Sequence, residues 1–266
     1  MQISNFSPDD IHPFLNLAKD EGWISTRREL GFLLECYPEG CLRCHEENRA
    51  VGFVTAVSYG NSGWIGNLLV ENGYRGKGIG TELFKQAMLA LKRSGVKTIW
   101  LTASKYGRPI YERNGFNLSD RIQRWECSGG EAIQLTSIKR IEPCWQQIDF
   151  LGWGDERNAL LAHSIDSGWV TGSESGFLVI QRIGKREQIG PFGALNPRTA
   201  EQLLEKTEIQ GGNRLLDVPE SNRAASKILT SRGFSVSSVV ELMYSGEPPA
   251  YHPEHIFGLA SMGSMG

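Results

Sequence analysis

The chain has 266 residues, with 28 Lys and Arg against 30 Asp and Glu and a net charge of −2. That length is comfortable for two domains, each with its own core. The near-neutral charge, without a Lys/Arg-rich run, argues against a nucleic acid partner, and no apolar stretch approaches the ~20 residues that span a membrane. The first ten residues lack a basic segment followed by an apolar run, so no signal peptide is expected and the cytoplasm is the expected location. The five cysteines follow no framework spacing and read as reduced thiols. Cys41, Cys44 and His45 match the C-x-x-C-H spacing of haem attachment. On a strand, however, Cys41 and Cys44 project to opposite faces, and zinc would need a second ligand pair. No metal is expected.

In chain order, residues 2–6 read as a strand. Ser7, Pro8, Asp9 and Asp10 form a helix start, with Ser as N-cap, Pro in the first turn and acids near the helix dipole. Ile11, Phe14, Leu15 and Ala18 make its apolar stripe. Thr26 to Glu29 has the spacing of a capping box ahead of Leu30, Leu33 and Leu34. Residues 41–46 and 50–58 form a hairpin around 46–48, and 63–70 is the next strand. Residues 81–94 form an amphipathic helix with Leu83, Ala87, Ala90 and Leu91 inward, stopped by Gly95. Residues 98–103 are a strand, 109–114 a short helix and 116–127 a strand.

Between the strand ending at Val70 and the following helix lies Arg75-Gly76-Lys77-Gly78-Ile79-Gly80-Thr81. A glycine-rich turn leading into a helix N-terminus offers free N–H groups and a favourable dipole to an anion, and glycine lets a phosphate come close. A Walker loop is excluded, because Gly78 stands where Ser or Thr is required and Glu71 where the first glycine is required. A dinucleotide fingerprint fails at Thr81. The R-G-x-G-I-G loop, followed about one βα unit later by Tyr111 and Gly115-Phe116, resembles the GNAT superfamily of N-acetyltransferases, which bind acetyl-CoA. The resemblance covers roughly residues 1–130, with its specific core at 67–116.

The resemblance implies an α+β fold in α/β/α layers, with a mixed, mostly antiparallel sheet flanked by helices. It implies that the N–H groups of Arg75, Gly76, Lys77, Gly78, Ile79, Gly80 and Thr81 hold the CoA pyrophosphate. The strand before them would splay from its neighbour, and its segment Leu68, Leu69, Val70 would bind the pantetheine amides, with Val70 N–H on the developing oxyanion. Tyr111 would be the general acid for the leaving thiolate. Two departures stand out: Ser104 and Gly107 occupy positions where the family often has Asn and Ala. Ser104 retains a hydroxyl able to bond the pantetheine.

The second half repeats part of this order. Helices are expected at 155–165 (capped by Asp155), 197–206 and 222–231, and strands at 176–183, 187–195, 215–218 and 235–244. Leu229 to Phe234 aligns with Tyr111 to Phe116, and Asn222 and Ala225 fall where Ser104 and Gly107 fall. The half resembles the degenerate C-terminal domain of tandem bacterial GNAT proteins. It has no R-G-x-G-I-G, Pro191 and Pro197 remove N–H donors, and Leu229 replaces the tyrosine. The boundary is expected near 135–145, where Glu142-Pro143 breaks the pattern. The expected division is 1–138, an acetyl-CoA-binding domain, and 139–266, a degenerate domain that shapes the acceptor pocket and packs as a second subunit would.

The expected reaction is direct attack of a neutral primary amine, by default a small molecule, on acetyl-CoA. An amine of pKa about 10 must first lose a proton. Glu71, Glu29, Glu35 and Asp217 are possible acids near the pocket, with surface or capping roles set against each. Trp23, Trp64, Trp125 and Trp153 could line a pocket for an apolar or cationic acceptor. The alternative is a non-catalytic acyl-CoA-binding sensor. A tandem pair that satisfies its own sheet edge is compatible with a monomer, and a homodimer stays open.

Overall fold

A computed structural model describes residues 1–47, 49–105, 107–128, 140–207 and 213–266. In the first half, β1 (Gln2–Asn5), α1 (Ile11–Asp20), α2 (Arg27–Cys36), β2 (Leu42–Glu46), β3 (Arg49–Ser58), β4 (Ser62–Val70), α3 (Ile79–Arg93), β5 (Thr98–Ala103), α4 (Arg108–Arg113) and β6 (Asn117–Cys127) follow one another. The second half has α5 (Pro143–Trp153), α6 (Asn158–Ser167), β7 (Trp169–Ser173), β8 (Gly176–Ile183), β9 (Arg186–Ala194), α7 (Pro197–Glu205), β10 (Asn213–Pro219), α8 (Arg223–Ser231), β11 (Ser235–Gly246) and β12 (Ile256–Gly258). The expected α+β architecture is present in both halves. The boundary at 138/139 and the turn residue 48 lie outside the described residues.

Four elements depart from the sequence reading. Pro143 starts α5 rather than breaking the chain, because a first-turn proline gives up an N–H that is unpaired there anyway. Strands β7 and β12 are additional; both are short, and β12 is a segment of three residues with no alternation to read. Asp155 does not cap α6, whose N-cap is Arg157. Its carboxylate instead accepts from Ser62 N–H (2.6 Å) and Ser62 Oγ (2.7 Å), tying the second half to the start of β4.

The described strands form one sheet in the order β1-β2-β3-β4-β5-β11-β6-β10-β9-β8-β7, with β12 on β9. The halves exchange strands. β11 lies antiparallel between β5 and β6, and β6 lies between β11 and β10. Each half thus completes its sheet with the last long strand of the other. Arg124 on β6 clamps Asp217 on β10 through two bonds of 2.8 and 2.7 Å. Burial pushes the Asp217 carboxyl up and the guanidinium opposes the shift. Asp217 is therefore a seam residue and not a pocket acid.

Alternation along the strands sorts side chains into two layers. Phe53, Val57, Trp64 and Leu69 meet α1 and α2, with Phe14, Leu30 and Leu33 fully buried. Val54, Ala56 and Ile65 meet α3 through Leu83, Phe84, Ala87 and Leu91. Cys41 and Cys44 fall in opposite layers, as strand geometry requires. Trp64, Trp100 and Trp153 pack against one another at centroid distances of 5.9–6.5 Å, and the Arg157 guanidinium lies 4.5 Å over Trp153. That aromatic cluster is core between the halves, and the cation it holds is the chain's own. Trp125 is also core, and Trp23 is exposed.

Candidate active site

β4 and β5 run parallel and are paired only at residues 62–64 with 98–100. Beyond that they part, while β4 stays on β3 as far as Val70. A bulge at the pairing of Thr55 with Gly66 carries Asn67 at φ +54°, and Asn67 Nδ2 donates to Thr55 Oγ1 at 3.0 Å. Glu71 N–H donates to Val51 O at 2.9 Å. By the alternation of an antiparallel ladder, Val70 therefore turns its N–H and C=O away from β3, into the gap beside β5. Leu69 turns its backbone toward β3 and its side chain into the core. Of the three residues expected on pantetheine, the backbone of Leu68 and Val70 faces the gap and that of Leu69 does not.

The turn above the gap has the form of an anion cradle. Gly76 and Gly78 have φ of +76° and +82°, a region that costs other residues strain. Gly78 is the N-cap of α3 with no side-chain cap. Among the described residues, no hydrogen bond occupies the N–H groups of 76–81, while the flanking Arg75 N–H and Glu82 N–H are used by Asn72 O and Gly78 O. The open space around Gly76 and Gly78 leaves these donors accessible. Arg75 braces the turn: its Nε donates to Val70 O at 2.9 Å, and it pairs with Glu21 at 2.6 Å. The Lys77 ammonium sits 4.7 Å over the Tyr74 ring, and Glu71 pairs with Arg49.

Tyr111 belongs to α4 and packs on Phe84 at 5.0 Å and Phe116 at 6.1 Å, on the α3 side of the gap. Burial pushes its phenol up to about 12, so the proton stays on oxygen at neutral pH. Gly107 passes under the ring; a methyl there would meet Tyr111 Cε2 at 3.0 Å. Ser104 Oγ accepts from Gly107 N–H at 3.2 Å, so this hydroxyl stabilises the start of α4. Arg108 reaches Glu241 on β11 at 2.6 Å, so a strand of the second half anchors the helix that carries Tyr111.

On the other side of the gap lie α2 and a buried turn formed by residues 261–266. Trp64 Nε1 and Thr102 Oγ1 donate to Gly263 O at 3.0 and 3.2 Å, and Tyr59 OH donates to Met265 O at 2.7 Å. A methyl on Gly66 would meet Ser264 O at 2.6 Å, so only glycine admits this turn. Glu29 faces the same place. Its N–H takes the Thr26 cap at 3.1 Å, but its carboxyl turns inward to Ser264 and Asn67 and does not complete the expected capping box. Burial raises the carboxyl from its ordinary value, and interaction with Ser264 and Asn67 opposes the rise. Glu35 is exposed.

The corresponding features of the second half are closed. Asn196 caps α7 with its side chain, accepting from Thr199 N–H at 2.9 Å. β9 and β10 pair only where 186–188 meet 213–215, and β12 lies in the gap beyond. Leu259 N–H donates to Asp217 O at 2.8 Å, and Gln188 Nε2 donates to Leu259 O at 3.3 Å. Leu229 stands in place of the tyrosine and is buried.

A strand pair that parts, a bulge on its inner strand and an uncapped glycine turn define the class. Family models described as Acetyltransferase (GNAT) domain match residues 38–118 and again 146–258. The chain belongs to the GNAT acetyltransferases and carries two such domains in tandem. A candidate acetyltransferase of Pyrococcus horikoshii, known from its crystal structure, superposes with TM-score 0.88 at 26% identity, over 100% of this chain and 95% of that one. Among characterised relatives, the [ribosomal protein bS18]-alanine N-acetyltransferase of Haemophilus influenzae is 32% identical over 81 residues, 30% of this chain and 56% of that protein. N-alpha-acetyltransferase MAK3 of Arabidopsis thaliana is 27% identical over 111 residues, 39% of this chain and 58% of its own length. In both, less than two thirds of the relative is spanned. No helix among the described residues is long and apolar enough to cross a membrane.

Proposed function

We propose that this protein transfers the acetyl group of acetyl-CoA to a primary amine, at the gap between β4 and β5. The observation that carries the reading is the run of N–H groups at 76–81, unengaged among the described residues, at the uncapped start of α3, directly above that gap. Six unengaged donors and a helix dipole suit a pyrophosphate. Pantetheine would extend from there along β4, its amides on the Leu68 and Val70 backbone. The thioester carbonyl would then lie near Val70 N–H, which stabilises the oxyanion as the amine adds. Tyr111, protonated and on the α3 side, would give its proton to the departing sulfur.

A small amine is the favoured acceptor. The buried 261–266 turn covers part of the face on which an acceptor would lie, which supports a small ligand over a long peptide. One relative is named an N-alpha-acetyltransferase and the other a [ribosomal protein bS18]-alanine N-acetyltransferase, so an α-amine of a polypeptide is the natural comparison substrate. The second domain, with α7 capped and its gap filled by β12, serves as wall and brace rather than as a second cofactor site. The division falls within 128–142.

A thermal-shift series with acetyl-CoA, CoA, ATP and NAD tests the reading, because a ligand bound only by the folded chain raises the melting temperature. A rise with the two CoA species alone is expected. No rise with either would remove the donor and, with it, the reaction.

A further inference from the structure

We propose that Glu29, held at the β4 bulge by Asn67 and Ser264, takes the proton that the acceptor amine must lose. This rests on the acetyl-transfer reading above and names the base that the reading leaves open.

Three observations converge. First, Glu29 leaves its own helix cap half-made. At Ser7 the equivalent side chain, Asp10, reaches back to the Ser7 N–H at 2.9 Å and completes the box even though its other oxygen pairs with Arg43. At Thr26 the Glu29 carboxyl turns inward instead. Second, it has no cation. Among the described residues Glu29 makes no ion pair, and the groups that act on it are the uncharged side chains of Ser264 and Asn67. A half-buried carboxylate without a counter-charge is costly unless something uses it. Third, it sits across the sheet from Tyr111. Asn67 and Thr55 belong to the layer facing α1 and α2, whereas Tyr111 packs with Phe84 in the layer facing α3. Acid and base thus flank the gap on opposite sides, as attack from one face and departure toward the other require.

The proton count closes. An ammonium R–NH₃⁺ gives one proton to Glu29, and the freed lone pair attacks the thioester carbon. The C–N bond forms, the C–S bond breaks, and sulfur takes the Tyr111 proton. Nitrogen then releases a second proton as it becomes an amide, which restores the phenol. Glu29 passes its own proton to water, so the balance is amide, CoA thiol and one H⁺. Activity should fall at low pH as the Glu29 carboxyl protonates.

The test compares wild type, Glu29→Gln, Glu29→Asp and Ser264→Ala. An alanine-headed tetrapeptide and 1,4-diaminobutane are the acceptors, released thiol is the readout, and acetyl-CoA binding is measured separately by calorimetry. Expected for Glu29→Gln is a loss of about 100-fold in kcat with acetyl-CoA affinity retained and the acidic limb of the pH profile gone. Glu29→Asp should restore part of the rate, and Ser264→Ala should cost roughly fivefold, the worth of one hydrogen bond. A stability readout is independent of turnover. A carboxyl whose folded pKa is raised contributes stability fully below its unfolded pKa and loses it as pH rises through the folded value. Glu29→Gln should therefore melt higher than wild type at pH 8 and equally at pH 4. An active wild type with an unchanged Glu29→Gln pH profile would overturn the base and leave acetyl transfer standing. Equal loss of rate and acetyl-CoA affinity would also overturn it, by making Glu29 structural. A wild type that binds acetyl-CoA yet acetylates neither acceptor would remove both the reading and the base.

Discussion

The junction of β4 with α3 and that of β9 with α7 are the same piece of architecture made twice, and they differ in what meets the helix and the gap. At α3 the N-cap is a glycine in the left-handed region, and six N–H groups have no partner among the described residues. At α7 the cap is Asn196, bonded to Thr199 N–H. β4 and β5 pair only at 62–64 with 98–100 and part beyond, whereas the gap beside β9 holds β12. The difference teaches that the fold supplies a slot and a helix end, and that a few residues decide whether the chain fills them itself or leaves them for a ligand.

Gly78→Glu should break the comparison most strongly. A side chain at φ +82° is strained, and a carboxylate among the N–H groups takes the place of phosphate. Acetyl-CoA affinity should fall by about 100-fold or more, since like charge at such a site costs several kcal/mol; calorimetry measures it. Tyr111→Phe should come next. The ring and its contacts with Phe84 remain while the proton is lost, so kcat should fall by about 100-fold with acetyl-CoA affinity nearly unchanged. Steady-state kinetics beside a binding isotherm separates the two effects. The smallest effect is expected at Asn196→Ala, which uncaps α7 and should cost about 1 kcal/mol in a denaturant titration. It should create no second acetyl-CoA site, because β12 still fills the gap. Two bound acetyl-CoA molecules in that variant would show that the cap alone separates the halves.

The form of the glycine turn was legible because its geometry is local. Arg75 to Thr81 lies between a strand and a helix, and glycine at 76 and 78 has a conformational reason visible in the spelling. Tyr111 was legible through its register with Gly115 and Phe116. Glu29 was read as one of four possible pocket acids, with half of a capping box set against that role, and nothing in Thr26 to Glu29 says that its carboxyl meets residues 38 and 235 positions further on. Pro143 looked like a break because a proline ends a helix as readily as it begins one. The reciprocal placement of β6 and β11 was beyond a sequence reading, since two antiparallel strands with similar alternation satisfy either neighbour. The same holds for β12, whose position depends on a vacancy created elsewhere in the fold.

That reciprocal placement has a consequence for how the molecule is made. As the chain leaves the ribosome, residues 1–127 contain every helix of the first half but lack the strand that lies between β5 and β6. That strand is residues 235–246, synthesised more than a hundred residues later. Until then the facing edges of β5 and β6 are open, and open edges invite pairing with other chains. The first half therefore waits for the second, and the two reach their final form as one event of long loop closure.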